Sequence, residues 1–461
     1  MIRKTKASSH RNKFWITGAV LVTQNSQRDV LLADIVVDEH GVIIDLPKPR
    51  KSSPPRGFKK ISAKGLHVLP GFVQTHVHLC QTLFRNTADD LELLDWLRKK
   101  IWVYEARHNK FTLRTSALLG IQELLRSGTT CILDMGTVRY TEEIFKAAVE
   151  TGIRANIGKC LMDHPQNNPP ELCESTEAAL KEAHALFTKW NGTHGDRIRA
   201  SYAPRFAISC TETLLQSVAK SARERGAIIH THASENRTEC DLVMRMSGGR
   251  SNIEYLSATG ICCERAVIAH GVWLSPEEMR ILSEKKASIT HCPSSNLKLA
   301  SGVAPVPELL EGGVNVALGA DGAPCNNTLD MFHEMRLAAT LHKPRRGPTT
   351  LPAPEILDLA TRNGAKALHW FDQIGSIEIG KKADFVALDL NDIATLPTHP
   401  TSLKAVASAI VYAGTASNVA WTMVDGQMCY RRSLSDQSTS ARLLKDLQKA
   451  RNAILRPVSP L

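Results

Sequence analysis

The 461-residue chain lacks the features that define several protein classes. No stretch reaches the ~20 consecutive apolar residues of a membrane-spanning helix, so we expect no membrane partner. The 11 cysteines include no C-x-x-C pair, which argues against a thiolate zinc site. They are also odd in number and scattered, which argues against a disulfide framework and favours a reducing compartment. We therefore expect a cytoplasmic protein.

The charge balance is basic but not concentrated in one place. Lysine and arginine exceed aspartate and glutamate by 11. The densest basic run, residues 48–60, is short, contains three prolines and has Phe58 as its only aromatic residue. This composition favours a solvated loop over a nucleic-acid surface, although a weak attraction to anions stays open. With 43% hydrophobic and 22% charged residues, the composition is that of an ordinary globular protein.

Short apolar strands alternate with longer helical segments through the middle of the chain. The candidate strands are residues 65–78, 129–135, 154–160, 197–204, 227–233, 266–272, 287–293 and 314–321. Eight such repeats predict an α/β fold, either a (β/α)₈ barrel of the TIM type or a doubly wound open sheet. The barrel is favoured because its active residues lie at the C-terminal ends of strands, where this chain has its histidines.

The two ends of the chain have a different sequence pattern from the middle. Residues 1–12 read as a loose basic tail, and residues 13–66 and 376–434 are rich in short strands with tight turns at Glu39–Gly41 and Asp425–Gly426. The barrel is expected over residues 67–375. Residues 435–461 show helical periodicity from Ser440 onward, which predicts a C-terminal helix packed on the barrel.

Histidines and carboxylates follow four of the candidate strands. His76 and His78 lie two apart, so a strand presents both from one face, and His230 and His232 repeat this spacing three residues before Glu235. Two neutral imidazoles on one face suit a divalent zinc or iron ion.

His270 and Asp321 follow two further strands, and glycines flank Asp321 on both sides within Gly319–Gly322. Each group by itself is more simply a core histidine or a capped turn. Four such groups at the same end of one barrel together predict a metal site.

These motifs resemble the amidohydrolase superfamily. The ordered set PGFVQTHVHL, HTHASE, IAHG and GADGAPCNN is similar to its branch of aminohydrolases and chlorohydrolases that act on purines and s-triazines. The resemblance covers nearly the whole chain and implies that the strand-rich ends form one composite β-sandwich. It implies a single divalent metal ion, Zn²⁺ or alternatively Fe²⁺, and the implied ligands are His76, His78, His232 and Asp321.

The resemblance also implies catalytic roles. Asp321 would accept a proton from the attacking water, Glu235 would protonate the ring nitrogen beside the attacked carbon, and His270 would hold the nucleophile and steady the tetrahedral intermediate. His230 matches no ligand, so it is either an outer partner of the site or a packing residue. The reaction expected is hydrolytic deamination of a ring carbon. The other zinc deaminase signature, H-x-E with P-C-x-x-C, is absent from the sequence.

Two segments bear on the substrate. Residues 81–106 and 323–343 are similar to the S-adenosylhomocysteine, methylthioadenosine and 5′-deoxyadenosine deaminases, which implies Glu105 on the ribose hydroxyls and Trp96 against the nucleoside. An ordinary core aromatic is the alternative for Trp96. Residues 203–206 instead resemble guanine deaminase, which implies that Arg205 and Phe206 hold and stack the purine.

Gln81 also fits a purine-contacting glutamine of the guanine deaminases. Two departures from the nucleoside deaminase pattern bear on the substrate: the first affects the contact to the adenine ring, and the second weakens S-adenosylhomocysteine as the substrate. Tyr202 falls near the position of an adenine-contacting histidine, and residues 163–175 contain no match for carboxylate-binding arginines, with Lys159 the only nearby cation.

The expected substrate is therefore an adenine nucleoside with a neutral 5′ substituent, acted on together with water. Guanine is the alternative and an s-triazine is more distant. A barrel that has lost catalysis and serves as a scaffold is disfavoured, because every functional position holds a competent residue type. A homo-oligomer is possible, and no nucleic-acid partner is expected.

Overall fold

A computed structural model describes residues 12–49, 55–399, 401–432 and 439–455. Apart from Asn12, the expected basic tail lies outside these residues, as do residues 50–54 of the basic run. The strands are β1 Lys13–Val22, β2 Val30–Val37, β3 Ile43–Asp45, β4 Phe58–Ser62, β5 His67–Pro70, β6 Phe72–Val77, β7 Thr129–Asp134, β8 Arg154–Leu161, β9 Ile198–Pro204, β10 Ile229–Ala233, β11 Ala266–His270, β12 Ser288–His291, β13 Asn315–Leu318, β14 Phe385–Leu388, β15 Val419–Val424 and β16 Gln427–Arg431.

Helices connect the strands. The α-helices are Leu93–Trp96, Trp102–Ala106, Lys110–Arg126, Glu142–Thr151, Thr176–Trp190, Thr193–Asp196, Glu212–Arg225, Arg237–Met246, Asn252–Ala258, Pro276–Glu284, Pro293–Lys298, Val306–Glu311, Ala323–Asn326, Met331–Leu341, Lys343–Arg346, Ala353–Ala360, Arg362–Ala367, Leu403–Ser408 and Thr439–Ile454. Short 3₁₀ helices occur at Leu79–Phe84, Pro170–Leu172, Ala207–Ser209 and Ala416–Asn418, and π-helical turns at Leu97–Ile101 and Ala409–Ala413.

Eight parallel strands, β6 to β13, pair in sequence order. The sheet closes where Val77 pairs with Asp321 and the Asp321 N–H donates to the His76 carbonyl at 3.1 Å. The strands are buried along nearly their whole length, because helices cover the outside and side chains fill the inside. The predicted (β/α)₈ barrel is confirmed, and the doubly wound open sheet is excluded.

The first candidate strand, residues 65–78, is in fact two strands in two different sheets. β5 pairs with β1 and β14 outside the barrel, whereas β6 pairs with β7 inside it. The chain changes sheet at Gly71, where a Cβ atom would lie 2.0 Å from the Thr130 side chain. The prediction of one continuous strand was wrong because the apolar run does not stop at this sheet change.

Both ends of the chain build the second sheet, which forms a β-sandwich beside the barrel. Its strand order is β16-β15-β14-β5-β1-β2-β3, with β4 added along β1. The predicted turn at Asp425–Gly426 connects β15 to β16, and both residues have positive φ angles, 50° and 71°. This is the conformation that a two-residue hairpin of the Asp-Gly type requires.

The predicted C-terminal helix is present as Thr439–Ile454 and packs against the barrel helix Lys110–Arg126. Ile454 is fully buried, and its carbonyl accepts a hydrogen bond from Arg107 Nη1 at 2.8 Å. Across the described residues, every helix is too short or too polar to span a bilayer.

Candidate active site

The predicted site residues meet at the C-terminal end of the barrel. His76 lies in β6 and His78 one residue after it, His232 lies in β10, His270 ends β11, and Asp321 follows β13. Parallel strands of a barrel all end at the same face, so residues distant in sequence converge there. The cavity at this face is lined by His78, Gln81, Leu93, Trp96, Leu97, Arg205, Phe206, His232, Glu235, Glu239, His270 and Asp321.

Three imidazole nitrogens and one carboxylate oxygen converge on a common point. Asp321 Oδ1 lies 3.2 Å from His76 Nε2 and 3.3 Å from His78 Nε2. His78 Nε2 in turn lies 3.1 Å from His232 Nε2. Around a tetrahedral zinc ion with ligand distances of about 2.0–2.1 Å, neighbouring ligand atoms lie roughly 3.3 Å apart. The four side chains therefore fit one divalent ion.

The electrostatics of the four side chains agree with this geometry. Burial lowers the pKa of His76, His78 and His232, because the charged imidazolium loses its hydration. Burial by itself would raise the pKa of Asp321, but the hydrogen bond from His76, with His78 also beside the carboxylate, holds it well below its usual range. Neutral imidazoles beside an ionised carboxylate are the protonation states that metal ligands need.

The backbone is strained where it delivers these groups. His270 and Asp321 have φ angles of 77° and 61°, and Ser234, just before Glu235, has 54°. Residues other than glycine rarely adopt such φ angles, and the residues that do so cluster at functional sites. A Cβ atom at Gly322 would lie 2.1 Å from Gln81 Oε1, which explains the glycine that follows Asp321.

Glu235 and His270 face each other beside the ligand group. His270 Nε2 lies 3.4 Å from Glu235 Oε2 and 4.0 Å from Asp321 Oδ2. The other ring nitrogen of His270, Nδ1, lies 2.9 Å from Asn296 Oδ1, which fixes the ring. Burial, and then the charge of Asp321, raise the pKa of Glu235 well above its usual range, which favours the protonated carboxyl group.

The sequence analysis missed three residues that support the site. Ser295 Oγ donates to Asp321 Oδ2 at 2.6 Å, Asn296 holds His270, and Glu239 accepts the Glu235 N–H at 2.7 Å. Ser295 and Asn296 lie just after β12, the seventh strand of the barrel. Their position after a strand end was therefore the signal that could have identified them as site residues. For Glu239, no sequence pattern indicated a role in the site beyond its helical position near Glu235.

The predicted substrate residues are only partly arranged as expected. Trp96 and Phe206 line the cavity, and Trp96 Nε1 has no hydrogen-bond partner among the described residues. Tyr202 is fully buried and stacks on Phe187 at 6.0 Å, away from the cavity lining. The Lys159 ammonium is also buried, where it donates to the Val138 carbonyl at 2.5 Å and to Glu174 Oε2 at 2.6 Å.

Glu105 and Arg205, which the sequence analysis placed on different parts of the substrate, bind each other. Arg205 Nη1 donates to Glu105 Oε2 at 2.6 Å and Nη2 donates to Oε1 at 3.2 Å. Gln81 Nε2 also donates to Glu105 Oε1, at 2.9 Å. Cys80 Sγ donates to the same Oε1 atom at 3.9 Å, so four hydrogen bonds occupy the roughly four acceptor positions of the Glu105 carboxylate. Arg205 and Gln81 line the cavity, whereas Glu105 itself lies behind them.

Comparison with known proteins identifies the class to which this fold and site belong. The model of the amidohydrolase family matches residues 67–429. A 5′-deoxyadenosine deaminase of Methanosarcina acetivorans is 36% identical over 442 residues, which cover 95% of this chain and 96% of that protein. A 5-methylthioadenosine/S-adenosylhomocysteine deaminase of Caldanaerobacter subterraneus subsp. tengcongensis is 36% identical over 86% of this chain and 88% of that protein.

Among solved structures, an adenosine deaminase from Xanthomonas campestris with bound zinc is similar with a TM-score of 0.86 and 30% identity. The similarity covers 96% of this chain and 99% of that one. The chain belongs to the amidohydrolase family, as its motifs predicted, and it is a hydrolytic enzyme of that family.

Proposed function

We propose that the protein is a metal-dependent deaminase that hydrolyses the 6-amino group of an adenine nucleoside and releases ammonia. The observation on which this depends most is the convergence of His76, His78, His232 and Asp321, whose ligand atoms all lie within 4.8 Å of one another. The names of the relatives, 5′-deoxyadenosine deaminase and 5-methylthioadenosine/S-adenosylhomocysteine deaminase, support this substrate class.

The three histidines and Asp321 would hold the metal ion, for which Zn²⁺ is the first candidate because the similar adenosine deaminase contains it. When bound, a divalent ion lowers the pKa of a water molecule toward about 7, so that hydroxide is available at neutral pH. Asp321 accepts the proton that this water loses. Ser295 orients the Asp321 carboxylate by donating a hydrogen bond to its Oδ2 atom.

Glu235 and His270 act on the substrate. Glu235, whose pKa is raised by burial, donates its proton to the ring nitrogen beside the attacked carbon. A C–O bond forms at that carbon. When the C–N bond to the amino group then breaks, ammonia takes the proton that Asp321 received, and the hydroxyl proton of the intermediate returns to Glu235 as the C=O bond forms. His270 Nε2, which has no hydrogen-bond partner among the described residues, is available to orient the nucleophile and the intermediate.

We infer that the 5′ substituent of the substrate is neutral. Arg205 is the one lysine or arginine among the residues that line the cavity as described, and Glu105 neutralises it. Lys159 is bound to the Val138 carbonyl and to Glu174 and is 1% exposed. A homocysteine carboxylate would find no free cation here, whereas Leu93, Trp96 and Leu97 offer apolar contact to a deoxy or methylthio group.

Guanine deamination is the second candidate, and Gln81 favours it. Its Nε2 atom donates to Glu105, so Oε1 is left as an acceptor without a partner among the described residues. Guanine offers ring N–H groups to such an acceptor, whereas the donor on the adenine ring is its amino group. Against guanine, both terminal nitrogens of Arg205 already bind Glu105 instead of facing a carbonyl oxygen.

Ammonia release from a panel of purines tests the proposal. We expect kcat/KM for 5′-deoxyadenosine and methylthioadenosine to exceed that for S-adenosylhomocysteine by at least about tenfold, a difference of about 1.4 kcal/mol. Guanine is expected to rank below all three. A preference for guanine would replace the first candidate by the second, and ammonia release from none of these purines would contradict deamination.

A further inference from the structure

His230 lies directly behind one of the candidate metal ligands. Its Nε2 atom is 2.7 Å from His76 Nδ1, and the two rings meet edge to face at an angle of 83°. Both side chains are fully buried. His76 Nε2 lies on the other side of the same ring and points to Asp321. His230 therefore contacts the nitrogen of His76 that does not face the ligand group.

The three histidines of the ligand group differ in what holds their Nδ1 atoms. His232 Nδ1 lies 2.6 Å from the Arg205 carbonyl oxygen, which can only accept a hydrogen bond. His78 Nδ1 has no partner among the described residues. Among these three histidines, only His76 has its Nδ1 atom held by another imidazole, that of His230.

The chemistry of imidazole fixes the direction of the His76–His230 hydrogen bond when a metal is bound. A metal bound to His76 Nε2 needs the lone pair of that nitrogen, so the neutral ring has its proton on Nδ1. That Nδ1–H group must donate, and the atom within reach is His230 Nε2. His230 must therefore be the acceptor, with its own proton on Nδ1.

We propose that His230 is a positioning residue that holds His76 in the tautomer and orientation needed to bind the metal ion. This inference depends on the metal site of the proposed function but not on the identity of the substrate. It gives the first histidine of the HTHASE motif a role that its neighbour His232 does not have. A neutral acceptor also leaves Asp321 as the single negatively charged group among the four ligands, whereas a carboxylate partner behind His76 would add a second negative charge.

Metal affinity, measured by competition with a chromogenic zinc chelator, separates this role from simple packing. His230→Met removes the acceptor and keeps an apolar side chain of similar length. We expect it to weaken zinc binding by about 10–100-fold, the usual cost of losing such an outer partner. His230→Gln keeps an acceptor oxygen, and we expect it to restore affinity to within about threefold of the wild type, a margin of about 0.6 kcal/mol.

His291→Gln is the matched control. His291 is also fully buried at the end of a barrel strand, but neither of its nitrogens has a partner among the described residues. We expect this variant to bind zinc like the wild type. Equal zinc affinity in His230→Met and wild type, or equal losses in His230→Met and His230→Gln, would overturn the proposal.

A fourth variant covers the case in which His230→Met does not fold. His230→Glu keeps an acceptor and adds a negative charge, so we expect zinc to bind at least as tightly as in the wild type. Weaker binding in this variant would overturn the proposal. Because zinc affinity is measured without substrate, failure here is distinguishable from failure of the purine panel.

Discussion

At the scale of single residues, the environment of the site moves the pKa values of two neighbouring carboxyl groups in opposite directions. Burial and the charge of Asp321 raise the pKa of Glu235, whereas His76 and His78 hold the pKa of Asp321 down despite its burial. Two carboxyl groups whose pKa values are moved apart can serve as an acid and a base at the same pH. This difference supports the proposal that Glu235 donates a proton and Asp321 accepts one.

Replacement of Glu235 by glutamine tests the proton-donor role. Glutamine keeps the size of the side chain but has no acidic proton, so we expect kcat to fall by about 10²–10⁴-fold, the usual contribution of a general acid. Metal content, measured by atomic emission, is expected to stay unchanged because Glu235 is not among the four candidate ligands. A variant with kcat within about threefold of the wild type would remove Glu235 from the mechanism.

Replacement of Glu105 by glutamine tests the predicted ribose contact. Because Arg205, Gln81 and Cys80 already donate to Glu105, a ribose hydroxyl would have to displace one of these donors to reach the carboxylate. The variant should raise KM for a nucleoside about tenfold and leave KM for the free base unchanged, since losing a hydrogen bond to a charged group costs about 1.5–3 kcal/mol. An unchanged ratio of the two KM values would show that Glu105 acts through Arg205 and Gln81 only.

At the scale of elements, a buried ion pair joins the barrel to the β-sandwich. Arg154, at the start of β8, donates from Nε and Nη2 to the two oxygens of Asp384, at 2.8 and 3.0 Å. Asp384 lies just before β14, and its Oδ1 atom also accepts the Asp425 N–H at 2.8 Å. Both side chains are at most 1% exposed, so neither charge has water as an alternative partner.

Asp384→Asn should destabilise the protein strongly. It leaves Arg154 buried without a counter-charge, which typically costs about 3–5 kcal/mol. Chemical denaturation measures the free energy of unfolding, and Glu277→Gln is the control because its ion pair with Arg280 is exposed, so that solvent screens it and its loss should change stability little. Similar losses in the two variants would show that the Arg154–Asp384 pair does not stabilise the junction.

The sequence could predict most of the barrel but not the contacts between distant elements. The barrel strands are continuous apolar runs that end in turn residues, and His76, His78 and His232 were identifiable because a strand shows every second residue on one face. The Glu105–Arg205 pair spans 100 residues and joins a short helix to a strand end, so no local pattern indicates it. The division between β5 and β6 could not be predicted because the two strands are adjacent in sequence and both apolar, so the local pattern shows no break between them.

At the scale of the whole molecule, the candidate metal ligands lie on both sides of the line where the barrel closes. His76 and His78 belong to the first barrel strand and Asp321 follows the last, and Val77 pairs with Asp321 across this line. A bound ion would therefore connect the first and last strands as well as activate water. The N-terminal and C-terminal halves of the barrel are expected to separate more easily without it.

Removal of the metal should lower the thermal unfolding temperature. A ligand at 100 times its dissociation constant stabilises the folded state by about 2.7 kcal/mol. Calorimetry of the protein before and after treatment with a chelator measures this difference, and re-addition of zinc should reverse it. Identical unfolding temperatures would contradict a metal bound across the closing strands.

The most direct test of the central claim is a titration of the metal-free protein with zinc, followed by ammonia release from 5′-deoxyadenosine. The account predicts negligible release without metal, a linear rise as zinc is added, and saturation at one equivalent per chain. Full ammonia release by the metal-free protein, or saturation only at a second equivalent, would contradict a single ion held by three histidines and Asp321.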